Sequence, residues 1–323
     1  MYKRQVSKTS PIISLPTRLL KLIKPTLAFI DKNTCNPAYV SPTIKEVRVP
    51  LGLNQAKLYG HYMDRGNILK GTVFTKAALQ MAYLRNICCD PATCDQNDVQ
   101  DLQIDCTSNF TPKVVAILEV IKECLSRGEQ CVVINARKGI SEELAQRLNE
   151  ADVPYSRVDS SVGSNRYAEQ SHAFKAKDTA VMLMGIKCAE GHSYDQCPNA
   201  VIGSLEYSYS SFQQAKGRVD RLFSKGANVY VILHKATIEE VMFDTVATKG
   251  DSAELCLQGN RLPRNWKPAD AGEILAQSIM AFDSKITETE EQCELKWPGL
   301  RESMTVSYTH LRAHETRHDL VCR

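Results

Sequence analysis

The chain has 323 residues, of which 43% are hydrophobic and 24% charged, the composition of a soluble globular protein. No apolar run approaches the roughly 18 residues of a membrane helix. A net charge of +3 is too small to argue for nucleic acid by itself, so any basic surface must be local.

Residues 1–50 are rich in proline and read as an irregular lead-in, whose start, Met1 to Thr9, is polar and basic. The apolar stretch Leu19 to Ile30 is interrupted by Lys21, Lys24 and Pro25, unlike a signal peptide. Residues 51–110 read as a helical segment. Leu51, Gln55, Leu58, Tyr59 and Tyr62 make one amphipathic stretch, and Leu79, Tyr83, Leu84 and Ile87 another, stopped at Asp90-Pro91. Pro91 to Phe110 reads as a polar loop. Cys88, Cys89 and Cys94 cluster, but a zinc site needs four ligands and three are present. They read better as small hydrophobes in a reducing compartment, and no metal site is expected.

Residues 111–250 alternate. Thr111 and Pro112 suit an N-cap and first helical position, Val114, Ile117, Leu118, Ile121 and Leu125 recur at helical spacing, and Gly128 closes the helix. The run Cys131 to Ile134 follows, then a helix capped by Ser141 with Glu142 and Glu143 in its first turn. A strand is expected at Tyr155 to Val158, a helix at Arg166 to Phe174, and strands at Ala180 to Met184 and Ala200 to Ile202. A helix from Ser211 to Phe223, a strand from Val229 to Leu233 and a helix from Ile238 complete the series. Short apolar strands separated by helices imply an α/β fold, a doubly wound parallel sheet buried on both faces. Residues 251–305 read as a polar extension with a helix at Ala271 to Phe282.

The end, VSYTHLRAHETRHDLVCR from Val306, holds three of the seven histidines and shows neither helical nor strand periodicity. It resembles the translation of a sequencing adapter, so residues 306–323 are expected to be foreign and the natural C-terminus to be missing. The other reading is a metal-binding tail, from His310, His314 and His318.

The segment SFQQAKGRVDRLF carries the argument about chemistry. Read as one helix, it puts Phe212, Ala215, Val219 and Leu222 on a core face and Gln214, Gly217, Arg218 and Arg221 on the opposite one. A mid-helix glycine costs about 1 kcal/mol relative to alanine, which suggests a close approach to the backbone. Two guanidinium forks beside it suit phosphate. The bland reading is a solvated basic face.

QAKGRVDR, Gln214 to Arg221, resembles motif VI of superfamily-two helicases, Gln-x-x-Gly-Arg-x-x-Arg. Leu183 to Asp195, LMGIKCAEGHSYD, resembles motif V with Gly191 at its glycine. Cys131 to Lys138, CVVINARK, resembles motif IV, and Tyr155 to Arg166 resembles the stretch between motifs IV and V. LNQAKLYGHYM from Leu53 and LRNICCDPA from Leu84 are similar to the helical segment that Swi/Snf-type proteins place before this lobe. TIEEVMFD resembles the helix that ends it. The resemblance spans Leu51 to Asp251, in motif order. Ser160 departs from a usual glycine, Leu222 and Phe223 from a usual Gly-Gln, and His192 and Ser193 vary motif V, which favours a bacterial or phage member over remodellers.

That resemblance implies a RecA-like C-terminal helicase lobe with an N-terminal helical insert, the second motor lobe of an ATP-dependent double-stranded-DNA translocase. It implies Arg221 as an arginine finger with Arg218 as its companion. Gln214, Gly217 and Gly191 would lie at the nucleotide, and Lys187, Ser193, Asn135 and Lys138 at the DNA backbone. The sequence contains no Gly-Lys pair and no Asp-Glu dipeptide, so ATP and Mg²⁺ are expected to be held mainly by an N-terminal ATP-binding lobe, in cis or in trans. The chain alone is then expected to be inactive. No membrane partner is expected, and the location is the cytoplasm of a bacterial or phage-infected cell. The alternatives are a stand-alone nucleic-acid-binding lobe, half of a split motor, or an unrelated nucleotide-binding α/β domain. An RNA helicase fits less well because of the helical insert.

Overall fold

Short β-branched runs assemble into the centre of the molecule. The computed structural model describes residues 32–64, 72–189, 193–221, 226–257 and 271–321. Its main sheet is built from β1 (Thr43–Val49), β3 (Cys131–Asn135), β4 (Tyr155–Val158), β5 (Val181–Gly185), β6 (Asn199–Ile202) and β7 (Asn228–His234). These six strands lie in the order β1-β7-β6-β3-β5-β4, and every neighbouring pair is parallel. Cys131 is in register with Val181 on one side and Asn199 on the other. β2 (Leu51–Gly52) and β8 (Thr287–Glu288) form a separate short pair.

Side chains alternate across the sheet as strand geometry requires. Val133, Leu183, Val201 and Ile232 join the core beneath one face, with helix α4 (Pro112–Ser126). Val132, Ile134, Met182, Ile202 and Val231 join the core of the other face, with Phe212 and Val219. Both faces are covered, so β3 is buried along its whole length.

α4 follows its expected periodicity: Val114, Ile117, Leu118, Ile121 and Leu125 are at most 1% exposed. Its end is set by Gly128, whose φ of +72° is the left-handed region that glycine tolerates. The opposite face of α4 is covered as well, by α10 (Glu290–Val321), which buries Cys293, Trp297, Leu300 and Met304. The C-terminal region is thus part of the core, not merely a polar extension. The α10 helix also runs on through residues 306–321, where the sequence showed no helical periodicity. An established helix extends at little cost per residue.

The helical segment contains α1 (Leu53–Asp64), α2 (Val73–Cys89) and the short α3 (Gln96–Asp101), the last inside the expected loop. Leu51, Gln55, Leu58, Tyr59 and Tyr62 are all buried, as the pattern required. In α2 the buried stripe is Ala77, Gln80, Met81, Leu84, Ile87 and Cys88, while Leu79 and Tyr83 lie about 40% exposed at 41% and 39%. The stripe is rotated because α2 packs between α1 and α9 (Ala271–Ala281). Tyr59 ties the segment to the first residue of the helix that follows β7, accepting the Ile238 amide at 2.9 Å.

Three further expectations are corrected. The lead-in is not wholly irregular, because Thr43–Val49 is edge strand β1, in register with β7 from Thr43↔Asn228 to Val49↔His234. Ser141 is not a cap: α5 (Lys138–Glu150) starts three residues earlier, and Ser141 is buried inside it. The helix from Ser211 to Phe223 is α7 (Tyr209–Lys216) followed by a loop, with Gly217 at its C-cap. The remaining helices are α6 (Tyr167–Lys175) and α8 (Ile238–Leu257). None of the helices is long and apolar enough to cross a membrane, among the described residues.

Candidate nucleic-acid and nucleotide interface

A shallow cleft of about 140 Å³ opens at the carboxyl ends of β3 and β5, lined by residues that include Asn135, Arg137, Lys138, Asp159, Lys187 and Cys188. Open parallel sheets place ligands at such strand ends. Asn135 is 2% exposed and donates its amide to Ser141 Oγ at 3.0 Å, so it forms the floor of the cleft. The next amide, of Ala136, donates to Ser204 Oγ at 2.6 Å and fixes the turn out of the strand. Lys138 stands on the rim, 53% exposed, in an ion pair with Glu142 at 2.9 Å. A surface pair of this kind is worth about 0–1 kcal/mol and yields easily to a phosphate. Lys187 is exposed on the helical turn Ile186–Ala189 that follows β5.

Asp159 supplies the negative charge in the cleft. Burial alone would raise its carboxyl, but hydrogen bonds from Ser161 and from Arg157 Nε at 2.6 Å outweigh this and hold it below the usual range. It is therefore ionised and committed to its own loop.

The rim is held from a distance. Asp90, which ends α2, accepts the Gly139 amide at 3.0 Å and an Asn109 amide hydrogen at 2.9 Å. It thus caps the first turn of α5 from the helical segment, the role the sequence assigned to Ser141. A Cβ on Gly139 would lie 2.2 Å from Asp90 Oδ1, so the glycine is what permits this approach. Sequence reasoning missed Asp90, and also Arg137 beside Lys138, although both stood within quoted motifs.

The arginine loop follows α7. Ser208 caps that helix by accepting the Ser211 amide at 3.3 Å, and Gly217 N–H donates to Gln213 O at 2.8 Å to end it. Arg218 is 8% exposed and its Nε donates back to Gln214 O at 3.0 Å. Its own carbonyl accepts the Tyr194 amide at 3.0 Å, which stitches the loop to the segment containing Ser193. Val219 is fully buried, Arg221 half-buried, and Gln214 half-buried on α7. The arginines therefore share a tight loop, not one helical face. The turn Ile186–Ala189 that carries Lys187 packs directly on α7. Gly191 and Leu222 lie outside the described residues.

A second polar cluster lies away from this cleft. Cys88, His234 and Glu239 have the donor types and proximity of a metal site. The Lys113 ammonium, however, sits 2.5 Å from Glu239 Oε1, and His234 Nδ1 meets Oε2 at 3.0 Å. Burial would raise the Glu239 carboxyl, yet Lys113 and His234 hold it well below its ordinary value. Burial and Lys113 together lower His234. Burial pushes the Cys88 thiol well up, and the Cys89 and Cys94 thiols to about 12, so all three are protonated and behave as small hydrophobes.

No family model matches the chain. A curated relative, the SWI/SNF-related matrix-associated actin-dependent regulator of chromatin subfamily A-like protein 1 of Xenopus tropicalis, is 24% identical over 141 residues. The match takes in 42% of this chain and 15% of that protein, so the chain spans a small part of its relative. Among solved structures, the crystal structure of the C-terminal part of the Fun30 ATPase domain superposes with a TM-score of 0.54 at 14% identity, covering 76% of this chain and 97% of that one. The fold is shared at that level, and the sequence match points the same way. The described residues share the fold of that C-terminal part, a parallel six-stranded sheet with flanking helices, and the sequence match links the chain by similarity to Swi/Snf-related proteins.

Proposed function

We propose that this lobe is the second half of an ATP-dependent double-stranded-DNA translocase, with the cleft on the DNA backbone and the arginine loop on the nucleotide. The observation that carries this reading is the turn Ile186–Ala189. It contributes Lys187 and Cys188 to the cleft and packs on the helix that leads into Arg218 and Arg221. A shift at one ligand is thereby felt at the other.

Lys138 and Lys187 would contact phosphates, with Arg137 beside them. Such contacts position a duplex without reading its sequence. Ser193 and Gly191 would support the link between the sites. The nucleotide phosphates and Mg²⁺ would be held by a separate ATP-binding lobe. Arg221 would bring its guanidinium to the γ-phosphate when the lobes close, a contribution of about 10³–10⁵ in rate in related sites. Gln214 and Arg218 would hold the loop in shape for that step.

The test is a salt titration of this chain on a duplex of unrelated sequence. The expected affinity falls linearly with log salt, and Lys187→Ala reduces the slope by about 1. Salt-independent binding, or a slope untouched by Lys187→Ala and Lys138→Ala, removes the cleft from the reading. In the motor joined to its ATP-binding lobe, Arg221→Ala is expected to abolish hydrolysis and leave DNA affinity intact. DNA binding with hydrolysis insensitive to Arg221 favours a binding lobe without a catalytic arginine.

A further inference from the structure

Asp220 lies between the two arginines and is 5% exposed. Its partners come from the far end of the sequence. Lys32 Nζ reaches its carboxylate at 2.8 Å and its carbonyl oxygen at 2.9 Å, and Tyr39 O–H donates to the same carboxylate oxygen at 2.6 Å. The ammonium lies 5.2 Å from the centre of the Tyr39 ring, so the two donors support each other. Residues 32–39 are folded on themselves: the Asn36 amide donates to Lys32 O, and the Tyr39 amide to Asn36 O. Val40 then packs against Gly226, which has φ +96°, and the Thr43 amide donates to Ala227 O at 2.8 Å as β1 begins. The segment ahead of the sheet therefore meets the chain at Asp220 and again at Gly226 and Ala227.

We propose that Lys32 and Tyr39 are positioning residues for Arg221, acting through Asp220. A nearly buried carboxylate requires its donors, because unpaired charge out of water is costly. Keeping those donors in place fixes the backbone at Asp220, and with it the start of the Arg221 side chain. The loop is also held through Arg218, by Tyr194 and Gln214, and by the Val219 and Asp220 amides, which donate to Lys216 O at 3.2 and 3.0 Å. The strap adds side-chain contacts at Asp220, next to Arg221. The catalytic part of this inference rests on the role given to Arg221 above, while the latch itself does not.

The test has two readouts. In this chain, amide exchange at Gly217 to Arg221 is expected to quicken about tenfold in Tyr39→Phe and in Lys32→Met, the scale of losing one hydrogen bond to a charged group. Lys32→Arg should restore it, and exchange in β3 and β5 should not change. In the motor with its ATP-binding lobe, the same variants should lower kcat about tenfold with KM for ATP and DNA affinity unchanged. Unchanged exchange in both variants overturns the latch. Quickened exchange with normal kcat, in a motor that Arg221→Ala disables, overturns the positioning role. A motor indifferent to Arg221→Ala sinks the arginine finger itself and leaves the exchange result to decide the latch.

Discussion

Lys138 and Lys113 use the same ammonium group in opposite settings. Lys138 is 53% exposed at the cleft rim and shares a surface ion pair with Glu142. Lys113 is fully buried between α4 and the sheet, bound at 2.5 Å to a Glu239 that also accepts the His234 ring and backbone amide. The first pair is screened and replaceable, so its charge is at the disposal of a ligand. The second is out of water and satisfied within the protein, so its charge is spent on architecture. Proximity and donor type alone would have ranked the buried cluster as the better site; solvent access separates them.

The largest way to break this comparison is Glu239→Ala. It leaves the Lys113 ammonium buried and unpaired, and the expected loss is about 3–5 kcal/mol of stability, read from a urea midpoint. DNA affinity of the folded fraction should be unaltered. A loss below about 1 kcal/mol would mean that water reaches Lys113.

Gly139→Ala probes the place where architecture meets the cleft. Its Cβ would fall 2.2 Å from Asp90 Oδ1 and 2.5 Å from Asn109 Nδ2. The crowded atoms are side-chain ends and can move, but moving them breaks the cap on α5. The expected cost is about 1–3 kcal/mol, with weaker duplex binding because the Lys138 turn is displaced. Destabilisation with unchanged binding would separate Asp90 from the cleft.

The smallest effect is set by pH. Burial and Lys113 lower His234, so below about pH 6.5 the unfolded chain takes up a proton that the folded chain resists. The stability contributed is complete above that pH and erodes as pH falls. Glu239, held below the ordinary carboxylate range, adds a second loss below about pH 4.3. Denaturant midpoints should decline from pH 7 to pH 5, and His234→Asn should flatten that decline. An equally steep decline in the variant would place the titrating group elsewhere.

The fold was legible wherever burial was two-sided. Cys131–Asn135 and Asn228–His234 are apolar because both faces of the sheet are covered, and the run itself announces the strand. β1 was hidden because it is an edge: Lys45, Glu46 and Arg48 interrupt Val47 and Val49, as exposed edges require. The start of α5 was hidden for a different reason. Its cap acceptor comes from Asp90, 49 positions earlier, and no local pattern carries that information. Of the candidate site, Lys138, Lys187, Gln214, Gly217, Arg218 and Arg221 were legible through motif order. The helical period continued past Gly217, yet the backbone turned there, so the shared helical face gave way to a loop. Lys32 and Tyr39 had no signal at all, since they act on Asp220 from 188 and 181 positions away.

The position of β1 also bears on how the chain is made. Lys45 on β1 and its neighbour Tyr230 on β7 are separated by 185 positions. At a synthesis rate of about 5–20 residues per second, the first strand leaves the ribosome roughly 10–40 s before its partner exists. The four strands β3 to β6 can pair in that interval, since they follow one another in the chain apart from their helices and pair among themselves. Of these six strands the earliest made is thus the last to be seated, and its charged side chains keep it from pairing with a foreign edge while it waits.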